Sequence, residues 1–106
     1  MGQPDFVARL TFTATEQGGR RSPAKSGYHP QVKFGFSEMR TSTALAFRDK
    51  KTVPPGDSVI ADMFMVGKEY FAGTLKIGMR FEVLEGKIVA AVGEVLEVVN
   101  KALEAD

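Results

Sequence analysis

A chain of 106 residues, 43% hydrophobic and 25% charged, has the size and balance of one globular domain, residues 1–106, with a core expected over about 6–99. The absence of cysteine excludes disulfides, thiolate metal sites and a thiol nucleophile; with no apolar run of membrane-spanning length and no secretory pattern at the start, the expected setting is a soluble, reducing cytoplasm with no membrane partner. The net charge of +1 conceals a division: residues 1–51 carry nine Lys and Arg against four Asp and Glu, and residues 52–106 carry five against nine.

From Phe6 to Thr13 the sequence alternates, with Phe6, Ala8, Leu10 and Phe12 on one side and Val7, Arg9, Thr11 and Thr13 on the other. Period two predicts a strand with one buried face. Two stretches rich in turn formers follow, Glu16 to Pro23 and Ser26 to Pro30, and predict a long ordered loop. Gln31 to Phe36 alternates again through Val32, Phe34 and Phe36, and Thr41 to Phe47 supplies a third strand ending in the charged run Arg48-Asp49-Lys50-Lys51, read as the end of a hairpin. Pro54-Pro55-Gly56-Asp57 predicts a tight turn, because proline presets φ and glycine accepts a positive φ.

Ser58 to Val66 predicts a strand apolar on both faces, and residues 67–77 show no period. Gly78 to Val83 alternates once more, Leu84-Glu85-Gly86-Lys87 reads as a hairpin turn, and a last strand begins at Ile88. Within it Gly93 marks either a bulge or a close approach of backbone to another group. After about Val99 the pattern predicts a frayed or helical end, since Leu96, Val99 and Leu103 fall at helical spacing while Val95 and Val98 also suit a strand. Six short strands separated by Gly and Pro turns predict an all-β, six-stranded antiparallel Greek-key barrel with a short helical C-terminal tail, an architecture that removes exposed sheet edges.

Little here points to catalysis. His29 is the only histidine, which excludes a multi-histidine metal centre, and Glu82 and Glu85 lie on opposite faces of a strand or across its end rather than as an acid–base pair. Gly18-Gly19-Arg20-Arg21 lacks the spacing of a phosphate-cradling P-loop, and the only asparagine, in Asn100-Lys101-Ala102-Leu103, is not followed by the Asp that a guanine-binding Asn-Lys-x-Asp motif requires. No enzyme activity, cofactor, metal or bound nucleotide is expected. The best functional candidate is the basic loop, in which Arg20 and Arg21 can reach phosphates and Lys25, His29 and Lys33 can widen the patch.

Five ordered motifs then carry a resemblance: Gly18-Gly19-Arg20-Arg21-Ser22-Pro23, Gly27-Tyr28-His29-Pro30-Gln31, Pro55-Gly56-Asp57, Gly78-Met79-Arg80-Phe81 and Leu84-Glu85-Gly86. In words and in order they resemble the C-terminal β-barrel, the third domain, of translation elongation factor Tu, over about Phe6 to Val99 and without the GTPase domain. The resemblance implies a six-stranded antiparallel barrel that touches the backbone of tRNA. Its implied RNA contacts are Arg20, Arg21, Ser22 and Gln31 early in the chain and Glu85 and Gly86 in the late hairpin. Donors such as guanidinium, hydroxyl and amide suit phosphate and ribose, and a carboxylate accepts from a 2′-hydroxyl.

This sequence departs from that pattern at His29, where the family has Arg, and at Leu84 and Ile88, where it has basic residues. Two expectations of function follow: a non-catalytic module binding tRNA-like or other structured RNA or translation-associated partners, or a protein–protein module using the face that packs on the GTPase domain in the family, with Phe71 and Arg80 as contacts.

Overall fold

The computed structural model describes residues 2–106 and is all-β. Eight strands are present: β1 (Phe6–Phe12), β2 (Ala24–Lys25), β3 (Gln31–Phe34), β4 (Thr41–Phe47), β5 (Thr52–Val53), β6 (Ser58–Met65), β7 (Arg80–Glu85) and β8 (Ile88–Val98). Six of them close a barrel in the order β1-β6-β4-β3-β7-β8, every pair antiparallel, and the return of β6 beside β1 after the β3-β4-β6 run is a Greek key. The remaining two, β2 and β5, pair only with each other. They lie in the connections that the sequence assigned to loop and hairpin end, and they tie those connections together outside the barrel wall.

The alternation in the sequence becomes the inside of the barrel. Phe6, Ala8, Leu10 and Phe12 of β1 point inward with Val32 and Phe34, Leu45, Met63, Phe81, Val83, Ala91 and Val95. Rings fill one half of this interior, with Phe34 5.1 Å from Phe81, 5.7 Å from Phe71 and 6.1 Å from Phe6 between centroids. Along β6, Val59, Ala61, Met63 and Met65 are buried while the intervening residues are half-buried, as a strand apolar on both faces should be. Gly93 answers the question the sequence left open. It is a close approach, because a Cβ at this position would collide with the Phe81 ring. The register shifts of β8 lie on either side of it, opposite Val83/Leu84 and opposite Val7/Ala8, where they help the longest strand bend around the barrel.

Residues that gave no period turn out to be caps. Lys68–Phe71 is one turn of 3-10 helix, after which the chain crosses the end of the barrel and Leu75 buries, forming a parallel bridge to Glu104. The predicted C-terminal helix is a single 3-10 turn, Lys101–Leu103, and it is pinned rather than frayed: the Asn100 side chain accepts the Ala102 N–H, Leu103 is buried, and Ala105 N–H donates to the Leu75 carbonyl at 2.7 Å.

Asp5 fastens the same end. Its backbone carbonyl accepts the N–H groups of Val99 and Asn100, and its buried carboxylate accepts from Met65 N–H at 2.8 Å, Asn100 Nδ2 at 3.0 Å and Lys68 Nζ at 3.3 Å. Among the described residues no helix is long and apolar enough to cross a membrane.

Candidate nucleic-acid interface

The other end of the barrel is dressed by the loop between β1 and β3. Two glycines set its course. Gly18 takes φ 93° to end the 3-10 turn Thr15–Gln17, and Gly19 is buried so closely against the Thr13 carbonyl that any side chain would collide with it. The hydroxyl of Thr15 then donates to the Arg20 carbonyl, which directs the Arg20 side chain back across the loop. Farther on, Gly27 at φ 91° donates its N–H to Leu45, and the Ser26 hydroxyl accepts from Phe47 N–H, so the loop is fastened to β4 as well. The Pro54–Asp57 turn closes beside it, with Asp57 N–H donating to Pro54 and Gly56 N–H donating to Phe12. These hydrogen bonds satisfy the loop's backbone groups and fasten it to the barrel although most of its residues are exposed.

Arg20 is the centre of the arrangement. Its Nη1 lies 2.6 Å from both carboxylate oxygens of Glu85, at the end of β7, while Nε donates to the Ser22 carbonyl at 3.2 Å and Nη2 to the Pro23 carbonyl at 3.4 Å. Side-chain exposures of 22% for Arg20 and 27% for Glu85 make this a half-buried pair. The guanidinium also lies over the Tyr28 ring, 5.4 Å from its centroid. The Tyr28 hydroxyl is buried and makes no hydrogen bond among the described residues, and burial raises its pKa well above the ordinary 10, with the nearby Glu85 charge adding to the rise and Arg20 opposing it.

Not all the residues predicted from sequence therefore stand free at this surface. Arg20 and Glu85 pair with one another, Arg20 through Nη1 alone, and together they hold the loop on the β7–β8 hairpin. Arg21 is exposed and forms no ion pair with any described residue, and Ser22 is exposed beside it. Gln31 is exposed at the start of β3, opposite Leu84 of β7, so it flanks the hairpin. Gly86 forms the hairpin turn at φ 60° while Lys87 keeps a negative φ, the type II′ pattern, and its carbonyl accepts Arg40 Nη1 at 3.0 Å.

Arg40 was not singled out by sequence, because the loop before β4 is remote in the chain from both motifs; only the barrel closure brings it to the hairpin. Lys87 also belongs here, exposed and without an ion pair among the described residues. A depression of about 500 Å³ between Arg20, Ser22, Pro23, Lys25, Tyr28 and Thr52 completes the surface. Lys25 and the exposed His29 share the loop, whereas Lys33 sits farther along the wall with Gly35 and Arg80, so it does not widen this patch.

The two predicted protein contacts separate. Phe71 is 1% exposed and packs on Phe34 and Phe36, so it is core and not a contact surface; an aromatic residue in a segment without period gave no sign of the pocket awaiting it. Arg80 is exposed, without an ion pair among the described residues, and borders two shallow depressions on the outer wall of about 370 and 220 Å³ that share Val92.

A scan of the sequence against the profiles of known protein families finds no match.

Proposed function

We propose that this chain is a non-catalytic RNA-binding barrel that grips the backbone of a structured, tRNA-like RNA through the end formed by the 18–31 loop and the β7–β8 hairpin. The observation carrying this reading is the Arg20–Glu85 bridge. It clamps segments 65 residues apart onto one surface, around which Arg21, Lys25, Lys87 and Arg40 have no carboxylate partner among the described residues. Four cations on a firm platform, flanked by the Ser22 hydroxyl and the Gln31 amide, match what a sugar–phosphate backbone offers: fixed negative charge and hydroxyl groups, with no base edge required. The resemblance of the five motifs to the third domain of elongation factor Tu supports the same reading, and a role beside the translation machinery in the cytoplasm belongs to it.

The reading is tested by titrating the purified chain with structured RNA at several salt concentrations. Binding should weaken steeply with salt, and Arg21→Ala with Lys87→Ala should lower the slope of log affinity against log salt by roughly 1.5–2. Arg20→Ala is the wrong first variant, because it also releases the loop. A chain that binds no RNA at low salt, or a double variant with wild-type affinity and slope, overturns the proposal. The alternative is then a protein-binding module. It is favoured by the exposed Arg80, without an ion pair among the described residues, bordering two depressions on the outer wall, and its signature is partner binding that Arg80→Ala weakens and moderate salt does not.

A further inference from the structure

We propose that Ser22 is a phosphorylation site for a proline-directed serine/threonine kinase, and that Arg20 and Arg21 receive the phosphate. The hydroxyls around Ser22 are spent on the fold. Thr15 donates to Arg20, Thr13 donates to the Val89 carbonyl at 3.0 Å, and Ser26 accepts from Phe47. Ser22 differs from them, since its Oγ is on an exposed residue, donates to no described residue, and faces Arg20 Nη2 at 3.5 Å. Pro23 follows directly and is exposed, which gives a kinase the Ser-Pro dipeptide that this class reads.

The surroundings also suit the product. Arg20 holds Glu85 through Nη1 alone, so its Nη2 edge, now making only long contacts to Ser22 Oγ and the Pro23 carbonyl, is available to a phosphate without breaking the bridge. Arg21, adjacent and without an ion pair among the described residues, supplies a second guanidinium. In the reaction the Ser22 Oγ attacks the γ-phosphorus of a nucleoside triphosphate, the Oγ–P bond forms as the β,γ-bridging O–P bond breaks, the hydroxyl proton passes to the kinase base, and the nucleoside diphosphate leaves.

The modified residue carries a charge of about −1.5 to −2 at neutral pH, placed at the centre of the proposed RNA surface. That part of the inference rests on the RNA-binding reading: phosphorylation cancels Arg20 and Arg21 as a field for phosphate and should reduce RNA affinity by roughly tenfold or more at moderate salt.

Three measurements on the full chain separate the possibilities. Incubation with a recombinant proline-directed kinase and magnesium ATP, followed by peptide mapping, should place phosphate on Ser22, and Ser22→Ala should remove it; labelling elsewhere, or none, overturns the site. In a ³¹P titration of the phosphorylated chain, the second ionisation of the phosphate should fall below that of free phosphoserine and return towards it in Arg21→Ala; an unshifted titration overturns the arginine receptor. RNA affinity of the phosphorylated chain should drop by roughly tenfold or more, well beyond the small loss that removing one flanking hydroxyl brings in Ser22→Ala. Equal affinity of modified and unmodified chains overturns the regulatory role with RNA binding intact, whereas loss of binding by the unmodified chain defeats the earlier reading and leaves the first two measurements decisive for the site.

Discussion

The two ends of the barrel are closed by opposite means. At one end, a loop with little apolar content is held by a half-buried ion pair, an arginine laid over a tyrosine ring, and backbone hydrogen bonds. At the other, Phe6, Phe34, Phe71 and Phe81 plug the interior, and Asp5 ties β1, β6 and the C-terminal turn together beneath them. The aromatic end also carries large apolar side chains into solvent, with Phe36 50%, Val66 63% and Tyr70 67% exposed, while the polar end exposes cations. The core runs the length of the barrel, reaching the polar end through Phe12, Phe47 and Tyr28, but its densest cluster of rings lies at the plugged end, while the cations without ion pairs among the described residues gather at the polar end.

This division can be broken most forcefully at the plug. Phe34→Ala removes a fully buried ring that touches four other aromatic rings and should cost about 3–5 kcal/mol in chemical denaturation. A loss below about 1 kcal/mol would mean that the burial resides elsewhere. Asp5→Ala comes next. It orphans the Met65 N–H and the Asn100 amide at a buried site and should cost about 2–3 kcal/mol, with faster hydrogen exchange at Met65 and Asn100 as its local signature.

At the polar end the effects should be smaller and unequal. Arg20→Ala, which strands Glu85 half-buried, is expected to cost about 1–2 kcal/mol and to make the 18–27 loop sensitive to protease, whereas Arg21→Ala should stay within about 0.5 kcal/mol. Equal costs for these neighbouring arginines would erase the distinction between clamp and contact.

The smallest effect is visible only in alkali. Burial raises the Tyr28 pKa above its unfolded value of 10, so the unfolded chain loses this proton first and stability declines as pH rises from about 10 upward, with no contribution at neutral pH. Tyr28→Phe should therefore lessen the decline, measured as denaturation midpoint at pH 8 against pH 10.5. An identical decline in both chains would show that the phenol is solvated in the folded state.

The plugged end and the polar end also differ in how much the sequence disclosed. The barrel strands were legible because alternation reports a buried face directly: Phe6 to Phe12 and Ser58 to Met65 need no knowledge of their partners to be read. The caps were not, since Lys68–Phe71 and Lys101–Leu103 are single turns, too short to show a period, and Leu75 and Leu103 are held by a bridge between segments distant in the chain.

The site was legible as composition and not as geometry. Arg20 and Arg21 look alike in sequence, yet Gly18 and Gly19 turn one inward to a carboxylate contributed by β7 and leave the other in water. Neither the pairing with Glu85 nor the arrival of Arg40 at Gly86 has a local signal, because each depends on which strands close the barrel. Gly93 carried such a signal, as glycine within a strand usually does, but only the Phe81 ring beneath it decided between its two meanings.

The Asp5 knot has one more consequence. Because the Asp5 carbonyl accepts from both Val99 and Asn100, the path entering β1 and the path leaving β8 lie side by side. A barrel entered and left at adjacent points can be suspended from a surface loop of a host protein like a pendant, deforming neither partner, and can equally be re-threaded with its entry and exit paths joined and new ends cut in an exposed loop such as Glu38-Met39. The barrel is in this respect a portable part, and the cationic end would hang outward from whatever carried it.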